Sequence, residues 1–274
     1  MNNKIKPILI AISLIAIVFL INLIVEKKKE ESRIKKEEID LKNKFSNAKR
    51  FTRLALNEEN NEEAMRLINI SNSIIPTAEN SRQACIVLQN MKKFEESISW
   101  CTQGHELGDD LSLLGIALAY RGVKNYEEAL NWAFIANEKQ IPGSAGTIGL
   151  VYSEIGDYVN AEKWYLQAIK DDPKDSQDLN NLISFYIEKL DDKIRGAAYA
   201  IASVNNVFPA HTIAKFLIVT HKIPLEDLQK AYELQLNTPI LPYKYEEKEK
   251  LGILHEESYK RLFEYFISNP SDKY

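Results

Sequence analysis

A chain of 274 residues with 45% hydrophobic and 27% charged side chains has room for one or two globular domains, and with only two cysteines it is no disulfide scaffold. Its net charge of −4 is unevenly spread: eight Lys or Arg stand against three Glu through Lys36, which leaves −9 on the remainder. An acidic body of this kind argues against binding a phosphate backbone, so no nucleic-acid partner is expected.

The first element is the apolar run from Ile8 to Val25, broken only by Ser13 and Asn22. As a helix it would span roughly 27 Å, close to the thickness of a bilayer core. A cleavable signal peptide is the competing reading, yet Val25, Glu26 and Lys27 offer no small-residue cleavage site. Residues 1–25 are therefore read as a tail and single-pass transmembrane anchor, contacting lipid through residues 8–25, as in a bacterial inner-membrane protein. Lys4 and Lys6 precede the run, while Lys27, Lys28, Lys29, Arg33, Lys35 and Lys36 follow it. Counted alone, these cations put the following domain in the cytoplasm. A short basic leader before an apolar run also fits the opposite, periplasmic orientation. Residues 26–44 are charge-dense, free of Gly and Pro, and carry a thin seam that runs from Ile34 and Leu41 to Phe45 and Ala48. They read as a solvated helical stalk, since the seam is too short for a coiled coil.

From residue 45 the chain repeats itself. Gly149, Tyr152, Gly156, Asp157, Tyr158, Ala161, Tyr165, Ala168 and Pro173 form the clearest copy. A shift of 32 residues reaches Ala117, Tyr120, Lys124, Asn125, Tyr126, Ala129, Ala133 and Ala136, and a second shift reaches Cys85, Leu88, Phe94, Ser97, Cys101 and Gly104. Weaker copies lie before residue 77 and, in the other direction, around Tyr186, Ala197 and Pro209, with extra residues in the turn at Asp191 and Asp192. A fixed period of this size marks a stacked array in which each unit is one helical hairpin that cannot bury its apolar face alone. In the clearest copy, Gly156 and Asp157 stop one helix and start the next, and Pro173 closes the second.

These residues resemble the tetratricopeptide repeat family, with Sel1-like repeats a related alternative. The family's early tryptophan is missing, Leu113 and Ala145 taking its place. The resemblance implies an all-α fold: a right-handed solenoid over 45–209, closed by a helical capping region over 210–274. In that last region residues 211–221 and 225–236 read as short helices and Tyr245 to Ser268 as one long amphipathic helix. Pro239, Ile240, Leu241 and Pro242 mark an internal break.

If the copies align, Cys85 and Cys101 occupy facing slots of one hairpin. They are either a disulfide, which needs an oxidising compartment, or two small core residues. With His105 they also make three metal-type donors, but no fourth ligand accompanies them, so no metal or other cofactor is expected. Gly143, Gly146 and Gly149 have neither a preceding strand nor a following Gly-Lys, and are no phosphate loop. His105, His211, His221 and His255 are scattered, and no catalytic set converges. The paired aspartates at 109–110, 171–172 and 191–192 fall at helix junctions, where capping is their ordinary role.

What the resemblance implies is binding of other proteins or peptides, with the first helix of each hairpin lining a groove. Carried over residue by residue, the groove holds Lys49 and Arg53, then Arg82, Ile86, Gln89 and Asn90, then Leu111, Leu114, Leu118 and Arg121, and finally Leu150, Ser153 and Glu154. Leucines flanked by arginines suit a segment with apolar anchors and an acidic end; alternatively the leucines pack between repeats. The expected function is a membrane-anchored adaptor or scaffold rather than an enzyme. The alternative is an immunity-type inhibitor of a single toxic enzyme at the envelope. Nothing in the residues fixes the oligomeric state.

Overall fold

The computed structural model describes residues 5–56, 60–239 and 241–269, and the side chains of residues 5–21, 45 and 56 lie outside that description. Among the described residues the chain is all-α, with helices α1 (Ile5–Leu56), α2 (Asn61–Ile74), α3 (Ala78–Asn90), α4 (Phe94–Glu106), α5 (Ser112–Gly122), α6 (Tyr126–Glu138), α7 (Ser144–Ile155), α8 (Tyr158–Asp171), α9 (Ser176–Ser184) and α10 (Lys193–Ala202). These pack two by two, the C-terminal part of α1 with α2, then α3 with α4, α5 with α6, α7 with α8, and α9 with α10. Each pair stacks on the next, and α1, α3, α5, α7 and α9 touch one another in a row. That is the hairpin solenoid which the 32-residue period requires.

The turn inside each hairpin is built the same way. Lys92, Lys124 and Gly156, spaced 32 residues apart, all adopt a left-handed backbone with φ of 59°, 61° and 90°. This conformation lets the next amide reach back over the helix end, as in Lys93 N–H to Leu88 O (2.8 Å), Asn125 N–H to Tyr120 O (3.0 Å) and Asp157 N–H to Tyr152 O (3.0 Å). Asn125 and Asp157 then cap the second helix through their side chains. The fifth hairpin carries its extra residues as a π-helical turn, Phe185–Lys189, that widens the end of α9. There the closing bond, Asp192 N–H to Tyr186 O (2.8 Å), spans one residue more than its counterparts, and Asp191 takes the left-handed slot. Glu162 of α8 locks this turn by accepting from both Tyr186 Oη (2.8 Å) and Arg195 Nη1 (2.7 Å).

The core is uneven along the stack. One continuous cluster runs from Ala161 through Tyr186, Tyr199 and Leu217 to Phe266, whereas the earlier hairpins hold three small clusters, one of them Cys85, Cys101 and Ile116. The two cysteines are joined, with an S–S distance of 1.98 Å and a Cα–Cα distance of 5.1 Å. Gly115 of the next hairpin lies flat against this bond, and a Cβ there would come within 2.6 Å of Cys85 Sγ.

Beyond Pro209 the packing order changes. Helix α11 (Ala210–Lys215) continues as a second π turn (Phe216–Thr220), and α12 (Leu225–Asn237) then lies against α10. The expected long helix from Tyr245 to Ser268 is two helices, α13 (Lys248–Leu251) and α14 (Glu256–Ser268). Gly252, with φ of +73°, breaks it and lets Leu251, Ile253 and Leu254 all turn inward. Ile240 of the proline-flanked break lies outside the described residues.

At the other end, α1 is exposed from residue 22 to 44 and carries its own ion pairs, Lys29 with Glu26, Arg33 with Glu30 and Lys44 with Asp40. Burial begins at Ala48, where Thr52, Ser71 of α2 and Asn80 of α3 form a buried hydroxyl and amide cluster. No helix among the described residues is long and apolar enough to cross a membrane. The side chains of the Ile8–Val25 run lie outside the description through Ile21.

The left-handed slot gives a direct test. A side chain in that conformation costs about 1–2 kcal/mol, part of which a glycine forfeits through the greater freedom of the unfolded chain. Lys124→Gly should therefore raise the unfolding free energy by about 0.5–1 kcal/mol, and Gly156→Lys should lower it by a similar amount, as measured by urea denaturation.

Candidate functional site

The row formed by α1, α3, α5, α7 and α9 presents the residues expected to line a groove. Arg53 on α1, Ile86 and Asn90 on α3 and Leu111 before α5 are exposed, and Leu114, Leu118 and Leu150 are half-buried. Two of the arginines are already engaged across successive hairpins. Arg82 Nε lies 2.9 Å from Asp109 Oδ2, and Arg121 Nε lies 3.6 Å from Glu154 Oε1. Arg82 and Arg121 are therefore partly neutralised before any partner arrives.

Gln89 has a different task. Its amide donates to Gly115 O (2.8 Å) and Ser97 Oγ (3.2 Å), binding α3 to α4 and α5 over the disulfide. Ser153 is likewise buried. What remains accessible is an apolar strip of Ile86, Leu111, Leu114, Leu118 and Leu150, bordered by internally paired charges.

A second feature lies at the ends of the helices, where the turns between hairpins three, four and five meet. A cleft of about 670 Å³ opens there, lined among others by Gln140, Ser144, Trp164, Asp171, Asp172 and Asp178. Asp172 uses one oxygen to accept from Lys174 N–H (2.9 Å), and Asp175 caps α9 by accepting from Asp178 N–H (2.8 Å). Asp178 is only 7% exposed, and its carboxylate has neither hydrogen bond nor ion pair. It fits because Gly146 of α7 has no side chain; a Cβ there would fall 1.8 Å from Asp178 Oδ1. Burial first, and then the neighbouring carboxylates of Asp175, Asp172 and Asp171, push Asp178 up to about 6.

Sequence reasoning passed over Asp178, because an aspartate in the first turn of a helix is ordinarily a solvated partner of the helix dipole. One signal was present: Asp178 is 32 residues after Gly146, so the two occupy the same slot of successive first helices, which touch.

No family model matches this chain, and no curated relative matches it either. Among solved structures it is similar to PilF of Pseudomonas aeruginosa, at 13% identity with a TM-score of 0.53, over 83% of this chain and 99% of PilF. It is also aligned with the TPR2AB domain of yeast Sti1, solved as a complex with pHSP90, at 15% identity over 82% of this chain and 97% of that one, but with a TM-score of only 0.27. The likeness to PilF establishes the tetratricopeptide type of fold and no more. The fold is a solenoid of stacked helical hairpins, with an accessible apolar strip on its row of first helices.

The charge on Asp178 has a measurable consequence. Its folded pKa is raised, so the folded chain keeps a proton there that the unfolded chain has lost. The resulting stabilisation is full below the unfolded value of 3.8 and is lost as pH rises through about 6. Asp178→Asn should therefore be more stable than the parent by on the order of 2 kcal/mol at pH 7.5, with the difference closing toward zero below pH 4. Denaturant unfolding at pH 3.5, 6 and 7.5 reads this directly.

Proposed function

We propose that this chain is a membrane-anchored adaptor that captures a segment of a partner protein along the row of first helices. The observation that carries the reading is the accessible strip of Ile86, Leu111, Leu114, Leu118 and Leu150 on three consecutive hairpins. Apolar side chains of this kind in a shallow groove supply binding energy by leaving water when a partner helix or extended peptide covers them. Arg82, Arg121 and Glu154 border the strip and set direction, since a partner carboxylate would compete with Glu154 for Arg121 across a 3.6 Å gap. Arg53, Gln89 and Asn90 complete the residues assigned to this face, Gln89 acting by holding three helices in register. Residues 1–25 anchor it, 26–44 space it from the bilayer, 45–209 bind, and 210–274 cap the core.

The Cys85–Cys101 bond supports a further part of this reading, that the repeats face an oxidising space such as the periplasm. The Lys and Arg count after the apolar run favours the other side. We give the disulfide more weight, because a reducing compartment would open it, whereas charge bias around a single anchor is often overridden.

Two measurements test these statements. A photo-crosslinking amino acid placed at Leu118 should trap partner proteins in intact membranes, while the same group at Val159, 82% exposed on α8, should not. Equal trapping at both positions would refute the inner row as the binding face, and a single trapped enzyme would point to the inhibitor alternative. Alkylation of the denatured, unreduced protein taken from cells should label neither cysteine. Labelling of both would place the repeats in a reducing compartment.

A further inference from the structure

We infer that the acidic cleft at the junction of the third, fourth and fifth hairpins receives a cationic side chain, an arginine or lysine, from a partner polypeptide. Four aspartates line it, Asp171 and Asp172 at the end of α8, Asp175 at the cap of α9 and Asp178 within it. None of the four forms an ion pair with a Lys or Arg among the described residues. Asp178 is only 7% exposed, and its carboxylate, which reaches solvent through the cleft, has lost most of its water without gaining a donor from the protein. Asp178 is held in that state by a built feature, the missing side chain of Gly146, and it faces an opening of about 670 Å³, ample for a guanidinium.

The chemistry of the lining selects the ligand. Trp164 offers an aromatic wall, which favours a guanidinium or ammonium by cation–π attraction. Gln140 adds a neutral polar group at the rim, and α6 and α7 contribute no charge to the lining. A bare divalent ion fits less well, since no group of three or more acidic or His/Cys side chains among the described residues is disposed to hold one. A guanidinium, by contrast, can bridge carboxylates several ångströms apart with its five donors. The raised pKa of Asp178 is the electrostatic counterpart of the same vacancy of charge, and a bound cation would lower it. This inference stands independently of the inner strip, whose binding is apolar.

The test uses the full chain in detergent and the peptide acetyl-Arg-Arg-Arg-amide, with acetyl-citrulline-citrulline-citrulline-amide as the neutral control, by calorimetric titration at pH 7.5. The arginine peptide should bind and the citrulline peptide should not. Asp178→Asn, which the pH argument makes more stable and so not misfolded, should weaken binding at least tenfold. The double variant Asp171→Asn/Asp172→Asn, at exposed positions, should weaken it as well. Unchanged affinity in Asp178→Asn would overturn the inference. Tighter binding of spermidine than of the peptide would also overturn it, by assigning the cleft to a free polyamine, and so would calcium binding that excludes the peptide.

Discussion

Two helices of a hairpin can lie side by side only where the side chains at their crossing are small in sum, and this chain meets that limit in three different ways. At positions 85 and 101 the pair is two cysteines in a covalent bond, at 117 and 133 it is two alanines, and at 149 and 165 it is a glycine beneath a tyrosine ring. In the last case a Cβ on Gly149 would lie 2.8 Å from Tyr165 Cδ1, so the ring occupies the space that the glycine leaves. The quantity conserved from hairpin to hairpin is the room at the crossing rather than the residue. Once the crossing distance is held, the turn that closes each hairpin repeats, the hairpins stack, and the first helices fall into one row.

Stability in such a stack is close to a sum of nearest-neighbour terms, so an uneven core makes an uneven molecule. The C-terminal hairpins share one cluster that runs from Ala161 to Phe266, while the second, third and fourth hairpins are joined by two clusters of three buried residues each, Cys85, Cys101 and Ile116, and Ala117, Ala133 and Ile148. The disulfide sits in this thinner part of the stack. A bond that closes a loop of 16 residues restricts the unfolded chain by about 3 kcal/mol, comparable to burying one or two large apolar side chains. Gln89 adds to it by tying α3, α4 and α5 together over the sulfurs. The first hairpin combines the buried polar contacts of Thr52, Ser71 and Asn80 with a small apolar cluster that includes Ala55, Leu67, Ile68 and Ala84.

Much of this was legible in the residues because it depends on local spacing. The period of 32, the turn at Gly156 and Asp157, the contact of Gly149 with Tyr165 and the facing slots of the two cysteines are all properties of one hairpin or its immediate neighbour. What escaped depends on comparisons that a pattern does not weigh. The π turn at Phe185–Lys189 absorbs the extra residues inside a helix rather than in the loop where they appear to belong. Gly252 stands inside the run from Tyr245 to Ser268 that reads as one amphipathic helix, yet three neighbouring apolar residues can all face inward only if the helix breaks there. Gln89 and Arg82 enter the expected groove through the family resemblance, which carries over their slots on the first helix and not what each side chain meets. Their partners, Gly115 and Asp109, are more than twenty residues away and emerge only once the hairpins are stacked.

The inner strip and the acidic cleft are adjacent in a way that matters for recognition. Gly146, which makes room for Asp178, and Leu150, which belongs to the strip, are four residues apart on α7 and so share one face of that helix, about 6 Å apart along its axis. On the proposed reading, a single partner segment lying on the strip would present apolar anchors to the leucines and a cation to the aspartates. The two contacts would do different work. Apolar burial supplies affinity but discriminates poorly among hydrophobic segments, whereas a buried carboxylate that is left unpaired by the wrong partner penalises it. A destabilising acid retained in an otherwise well-packed junction is the kind of feature that trades stability for selectivity.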